Sequence, residues 1–446
     1  MLLEAPIAPT LFRLATPNVL NLLAIAGMIT FDGLFVGRLG ADALAGISLV
    51  FPWLMLMQHG AASGMGGAVS SAVARALGAG QQARADALAT HAFLLAIGLA
   101  SFFSILMLMA GPALYRSMGG TGATLEVAVA YSNVAFGGVV SIWMLNLLAN
   151  VVRGTGNMAL PAIVIVASVL GHVVVSPMLI FGFGFVPALG PSGAAWGLVI
   201  SFGVGSLVLL AYLRGKRSPI TLSFRELRLQ WELFAEFFRV GIPGLINVAI
   251  TNVTVITLTA VASHLDQNTA IAYAMGARLE YILIPLAFGF GTGIVAMMGT
   301  NWGAKQYERA RSIGWTGAVI VAASCGAVGF FFAVFPRLWM SLFTREEEII
   351  RIGALYLQIV GPAYALYGLG MALYFACQGA GKVTIAVLAN GMRLFVAAGG
   401  ALIAIHWMGL GALGVFAAIA LAFAAYAALT IAALSKVALG TSRETK

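Results

Sequence analysis

Twelve stretches of some twenty or more mostly apolar residues recur along the chain, at 11–36, 43–69, 88–114, 124–152, 159–184, 191–213, 236–263, 270–300, 312–336, 348–376, 382–407 and 409–436. A hydrocarbon core about 30 Å thick is crossed by about 20 helical residues, so each run is long enough to span a bilayer. A β-barrel is excluded because the runs are twice the length of a barrel strand and do not alternate. The expected fold is therefore all-α and integral to a membrane, with about twelve transmembrane helices. Composition agrees: 61% of the side chains are hydrophobic and only 9% charged, far from the usual soluble balance. Fifty-four glycines and 14 prolines suit closely packed spans, where small residues let backbones approach. No basic n-region precedes the first run and no small-residue cleavage site closes it, so that run is expected to remain as a helix. Cys325 and Cys377 lie inside apolar runs, which points to neither a disulfide framework nor a metal site.

The chain repeats itself. "GAGQQARAD" at 78–86 aligns with "GAKQYERAR" at 303–311, and "RGTG" at 153–156 with "QGAG" at 378–381, both at an offset of 225 residues. Tyr131 and Tyr356 share that offset, and Pro17 and Pro243 differ from it by one. Each half holds an even number of spans, so both halves begin on the same side of the membrane and the repeat is parallel. The expected organisation is an N-terminal six-helix lobe over 1–213, a cytoplasmic linker over 214–232 with an amphipathic surface segment, and a C-terminal six-helix lobe over 233–446. A pseudo-two-fold axis along the membrane normal would relate the lobes, with a cavity between them.

Most of the 24 Lys and Arg fall on the N-terminus, the loops after even-numbered spans and the C-terminus. The opposite side has Arg38, Arg116, Arg337, Arg345 and Arg351. By the positive-inside rule both termini are cytoplasmic, in a multi-pass protein of the plasma (inner) membrane. That bias also accounts for the net charge of +9, so no nucleic-acid partner is implied.

Two carboxylates fall within the apolar runs, Asp32 and Glu280. A charged group at mid-bilayer costs roughly 2.5–3.5 kcal/mol on insertion scales, so such residues face a cavity or a partner. No Lys or Arg at membrane depth is available to Asp32 in its half. It is therefore read as a carboxyl that either holds a proton or meets a cation in a hydrated cavity, and hence as a switch. Asn21 lies eleven residues earlier, about three turns plus 20°, on the same helix face. Asn146 and Asn150 are spaced i, i+4 on the fourth span, and Ser168, His172 and Ser176 form an i, i+4, i+8 stripe on the fifth. Such stripes also serve plain interhelical hydrogen bonding. In the second half Tyr273 and Glu280 share one face of the eighth span. Arg278 points away from Glu280, which makes Arg393 on the eleventh span the candidate partner for an ion pair. Positions at the repeat offset from Asp32 and Glu280 are apolar, so the scaffold is duplicated while these acids are not.

In this order and spacing, "FDGLFVGRLGADALAGIS", "ARALGAGQQARADA", "VVRGTGN", "SPMLIFGFG" and "GTNWGAKQYERAR" resemble the multidrug and toxic compound extrusion (MATE) transporters, within the multidrug, oligosaccharidyl-lipid and polysaccharide exporter superfamily. The resemblance spans essentially the whole chain. It implies a secondary active antiporter, not an enzyme, exporting amphipathic and often cationic compounds by alternating access as H⁺ or Na⁺ moves inward. It also implies roles for Asp32 in ion coupling, for Pro17 as a hinge in the first helix, and for Asn146 and Asn150 on the fourth. The chain departs from the family on the fifth span, where His172, Ser176 and Pro177 stand in place of an Asn-x-x-x-Asp-Pro pattern. The acids that one branch carries on spans seven and ten are absent as well. A Na⁺ site would then have one carboxylate and neutral oxygens, and imidazole is a poor ligand for so hard a cation. Proton coupling through Asp32 is the expectation, with His172 a second candidate to titrate and Na⁺ coupling the alternative. A lipid-linked oligosaccharide flippase would need more basic residues than Arg278 and Arg393, and a membrane-embedded hydrolase or transferase would need clustered acids that are not present. The expected partners are protons, small amphipathic molecules and the lipid bilayer. No cofactor is implied, and a monomer is expected.

Overall fold

The computed structural model describes residues 2–184, 186–224 and 228–444, with the backbone alone for Tyr281 and 437–444. Residues 225–227 of the expected linker thus lie outside the described residues. Sixteen α-helices follow in order: α1 (Ile7–Gly37), α2 (Ala41–His59), α3 (Met65–Gly78), α4 (Gln82–Ser117), α5 (Gly122–Gly137), α6 (Val140–Gly154), α7 (Ala159–Phe181), α8 (Pro191–Arg214), α9 (Trp231–Leu265), α10 (Gln267–Ala277), α11 (Glu280–Gly303), α12 (Tyr307–Val334), α13 (Pro336–Met340), α14 (Glu347–Gly379), α15 (Thr384–His406) and α16 (Gly411–Glu444). Among the described residues, eleven helical stretches are long and apolar enough to cross a membrane, and the pair α5 and α6, bent by 42°, makes a twelfth. These match the twelve expected runs. Among the described residues there is one isolated bridge, Phe183 with Val186, and no strand.

Local chemistry explains where spans break. Between α2 and α3 the helix widens into a π turn, Gly60–Gly64, of the kind that often marks functional positions. The Asn150 amide donates to the Ala62 carbonyl in that turn at 3.1 Å. A Cβ on Gly66 would collide with the Asn150 amide and the Ala61 carbonyl oxygen, so glycine is what lets α6 come this close. Gly182, at φ 81°, ends α7 in a conformation that side chains disfavour. The returning amides of Leu189 and Gly190 then satisfy the carbonyls of Leu179 and Ile180, and Pro191 opens α8. Asp266 caps α10, accepting from the Thr269 amide at 2.8 Å and its hydroxyl at 2.6 Å.

The chain divides into two compact units, one of them continuous and the other built from both ends of the chain. One comprises residues 20–241; the other comprises 1–19 with 242–446. The chain passes between them twice, at 19/20 within α1 and at 241/242 within α9, each time within two residues of a proline, Pro17 or Pro243. Proline removes a backbone donor and crowds the preceding turn, so both passages occur where a helix bends at least cost.

In the 20–241 unit, Glu236 of α9 accepts from Arg75 of α3 and Arg84 of α4, each at 2.8 Å. The stretch expected as a linker is also fixed there: Asp86 accepts from the Thr221 amide at 2.7 Å, and the Gln230 amide donates to His91 Nε2 at 3.0 Å. In the other unit, Asn301 and Arg309 donate to the carbonyls of Leu2 and Ala5. Arg309 and Arg84 are repeat-related: Arg84 holds the start of α9, and Arg309 holds the residues just ahead of α1. Gly329 of α12 and Gly361 of α14 meet backbone to backbone, leaving no room for a Cβ on either. Large apolar side chains face outward, among them Met109, Phe395 and Trp407, as a surface solvated by lipid requires.

Candidate functional site

Asp32 sits near the C-terminal end of α1, and its Oδ1 lies 2.7 Å from Nε2 of His172 on α7. The imidazole is fully buried, while the carboxylate is 28% exposed. The acid is therefore reachable by a small ion and the base is not. His172 Nδ1 is buried and without a partner. Placing protons on both ring nitrogens would leave a buried N–H unsatisfied, at a cost of about 1–3 kcal/mol. The arrangement thus favours the neutral tautomer with its proton on Nε2, donating to Asp32. Tyr131 of α5, 6% exposed, is near enough to Asp32 for the two to interact electrostatically.

The other candidates are spread more widely. Ser168 and Ser176 flank His172 on α7, but both lie against α8, opposite Gly205 and Gly197. The Ser168 hydroxyl donates to its own helix at Val164, and the Ser176 hydroxyl is buried without a partner. Asn146 donates to Ile142 O at 2.9 Å, and Asn150 is committed to the π turn and to Asn146 O. Asn21 is buried, with its Oδ1 unpartnered. Among the described residues, His172 is the one whose side chain bonds Asp32 directly. Pro17 lies within an unbroken α1, and the following Asn18 donates to Leu14 O at 3.0 Å and to Thr292 Oγ1 at 2.8 Å.

In the second unit, Glu280 opens α11 immediately after the break that follows α10. Its Oε1 accepts from the Tyr356 hydroxyl at 3.3 Å, which lies 3.0 Å from the Tyr364 hydroxyl. Tyr273 of α10 packs edge-on against Tyr356, with ring centres 5.8 Å apart. Arg393 is close enough to interact with Glu280 electrostatically but forms no ion pair with it. Its guanidinium carbon lies instead 5.4, 5.9 and 5.8 Å from the ring centres of Tyr367, Phe423 and Tyr426, which offers a buried cation the faces of three π systems. Sequence reasoning missed this cage, and it missed the Arg75–Glu236–Arg84 cluster. The one available signal was the spacing of Tyr356, Tyr367 and Tyr374, which puts their side chains on one face of α14.

A helical membrane protein built from a duplicated six-span scaffold, with an isolated acid on its first span, has an architecture that many transporters share. The sequence profile of the MatE family matches residues 17–178 and again 243–403, well over half of the chain, and the protein belongs to that family. The two matches begin and end at the spacing of the repeated motifs, so the duplication is a property of the family fold. Among relatives, a FAD transporter of Shewanella oneidensis is 25% identical over 84% of this chain and 82% of its own length. A probable multidrug resistance protein, YoeA of Bacillus subtilis, is 28% identical over 78% and 76%. Among solved structures, a MATE protein in a bent conformation superposes with a TM-score of 0.92, at 25% identity over 100% of this chain and 98% of that one. An outward-facing multidrug resistance MATE family transporter of the MOP superfamily gives 0.88, at 26% identity over 98% and 97%.

Proposed function

We propose that this protein is a proton-coupled antiporter that exports amphipathic, often cationic small molecules by alternating access, with Asp32 as the coupling carboxylate. The observation that carries this reading is the pairing of a partly exposed Asp32 with a buried His172 at 2.7 Å. The ring acts as a fixed neutral donor, so the arriving proton goes to the carboxyl oxygen not engaged by Nε2. An ionised Asp32 attracts cations; a protonated one does not. Loading from outside weakens the hold on a cationic substrate, and unloading to the cytoplasm restores it. Pro17 lets the part of α1 that carries Asp32 move separately from its first turns. With its proton on Nε2, His172 turns an N–H rather than a lone pair towards Asp32, so it adds no ligand to a Na⁺ site there.

The substrate is held mainly by apolar and aromatic surface. The 27 Phe, 11 Tyr, 8 Trp and 18 Met of the chain offer contacts worth roughly 0.5–2 kcal/mol each without demanding one geometry. Relatives named as a FAD transporter and as a multidrug resistance protein support small-molecule export without fixing one substrate. The protein acts as a monomer in the inner membrane with both termini cytoplasmic.

The test uses wild-type and Asp32→Asn protein in liposomes, with ethidium as the probe and a pH gradient or a Na⁺ gradient imposed separately. Wild-type exchange is expected under the pH gradient alone, and none from the variant, since Asn matches a permanently protonated Asp in shape. Exchange driven by Na⁺ alone overturns the choice of ion. Wild-type exchange by Asp32→Asn removes Asp32 from the mechanism.

A further inference from the structure

The chain leaves one span at Arg214, the last residue of α8, and enters the next at Trp231, the first residue of α9. Between them, residues 215–224 and 228–230 are described, and they form a strap tied down along its length rather than a free tether. The Gln82 amide donates to Pro219 O at 2.7 Å, the Leu222 amide to Leu213 O at 3.0 Å, and the Thr90 hydroxyl to Ser223 O at 3.3 Å. Ile220 and Leu222 are buried, and Phe224 packs edge-on against Phe93 of α4 with ring centres 5.1 Å apart.

What the strap leaves exposed has a different character. Leu229 is 72% exposed and Trp231 73%, the indole lying along α9 with its centre 6.3 Å from those of Phe234 and Phe238. Arg214, Lys216, Arg217 and Arg228 are exposed as well, against one exposed acid, Glu232, among the described residues of 214–232. Arg214 is held over the Phe224 ring at 5.2 Å, a contact that engages the face of the guanidinium and not its N–H edges. Among the described residues no carboxylate pairs with any of the four cations, whereas Arg75 and Arg84 of the same unit share Glu236. Water is a poor solvent for the Leu229 and Trp231 side chains, and hydrocarbon is a poor one for unpaired cations. The headgroup layer of a bilayer suits both. α9 has 35 residues, more than the about 20 that the hydrocarbon core takes, so its first turn has the length to reach that layer, where tryptophan concentrates. A zwitterionic headgroup brings its own cation to its phosphate; an anionic one leaves the phosphate to Arg and Lys.

We infer that the strap between α8 and α9 is a binding surface for anionic phospholipid. Leu229 and Trp231 enter the edge of the bilayer, and Arg214, Lys216, Arg217 and Arg228 engage the headgroup phosphates. Because the strap is already fixed to α4, little ordering is lost when lipid binds. A basic side chain near an anionic surface strengthens binding roughly fivefold, so neutralising three of the four should weaken it about 100-fold, enough to erase a preference for anionic lipid.

The full chain is placed in phosphatidylcholine nanodiscs doped with either brominated phosphatidylglycerol or brominated phosphatidylcholine, whose bromines quench tryptophan on contact. The difference between wild type and Trp231→Phe isolates Trp231 from the other tryptophans, and a disc exposes both faces of the bilayer, so neither topology nor ion coupling enters the result. Quenching of Trp231 should be stronger with phosphatidylglycerol, and high salt should weaken the difference. The triple variant Lys216→Gln, Arg217→Gln, Arg228→Gln, with its own Trp231→Phe reference, should be quenched equally by the two lipids. The variant Arg337→Gln, Arg345→Gln, Arg351→Gln removes as much charge from the other unit and should behave as wild type. All six side chains are exposed, and circular dichroism checks that both variants fold. Equal quenching of wild type by the two lipids, or no quenchable emission assigned to Trp231, overturns the inference. So does an equal loss of preference in the second triple variant, which would make net charge the cause. Added glycerol phosphate should leave the quenching unchanged; displacement by it would mean a site for soluble anions and would overturn the assignment to lipid.

Discussion

His172→Leu isolates what the imidazole does for Asp32. Leucine replaces the buried ring with an apolar group of similar bulk and removes the Nε2 donor at 2.7 Å. A hydrogen bond to an ionised carboxylate is worth about 1.5–3 kcal/mol and one to a neutral acid about 0.5–1.5 kcal/mol, so the loss falls more heavily on the ionised state, by about 1–2 kcal/mol. At 1.36 kcal/mol per decade, losing that stabilisation of the state that attracts a cationic substrate should slow exchange about 5- to 30-fold. The assay is ethidium exchange by wild-type and His172→Leu protein in liposomes under one imposed pH gradient. Far-UV circular dichroism and gel filtration check that the fold is kept. An exchange rate equal to that of wild type would refute the argument that the His172 donor supports Asp32 in transport.

Glu236→Gln should destabilise the protein by up to about 3 kcal/mol, since it leaves Arg75 largely buried with its carboxylate partner gone; changing Arg75 and Glu236 together to leucine should cost less, as thermal unfolding in detergent will read. Gly66→Ala places a Cβ against the Asn150 amide and the Ala61 carbonyl, so a loss of about 1–3 kcal/mol is expected, and no loss would mean that the π turn is not clamped as described. Asp266→Ala removes the cap of α10 and should cost about 1 kcal/mol in the same assay. The side-chain and backbone hydrogen bonds from Thr269 hold the Asp266 carboxyl below the ordinary carboxylate range. Its contribution is therefore complete above that range and is lost as pH falls through the lowered value, so melting curves of wild type and Asp266→Asn should converge only in strong acid.

Periodic and compositional features could be read directly from the sequence. The spans follow from the length of the apolar runs, and the duplication from short motifs at one offset. Asp32 stood out because a carboxylate in a membrane needs a reason. The stripe of Ser168, His172 and Ser176 was equally visible, but only the fold decides that His172 turns to α1 while the serines lie against α8. Arg393 shows the limit most clearly. Pairing by opposite charge made Glu280 its candidate partner, and the actual surroundings are three aromatic faces drawn from α14 and α16, of which the sequence signals only the tyrosine face of α14. Glu236 passed unnoticed for a related reason. It lies at the edge of an apolar run, where a charge is unremarkable, and its two arginines are some 150 residues away in sequence.

The unit formed by residues 1–19 and 242–446 has a bearing on how the chain is made. The 20–241 unit is complete once α9 has begun to emerge from the ribosome, whereas the first nineteen residues belong with α11 and α12, whose groups hold Leu2 and Ala5 from nearly 300 positions further on. Those residues must wait through most of synthesis before their contacts exist, and their loop closes last. A split protein cut at the middle of the sequence would therefore give two fragments, each carrying the opening turns that the other requires. Two such fragments can complement each other only by exchanging those turns, whereas a cut just before Ile242 would leave the smaller unit whole.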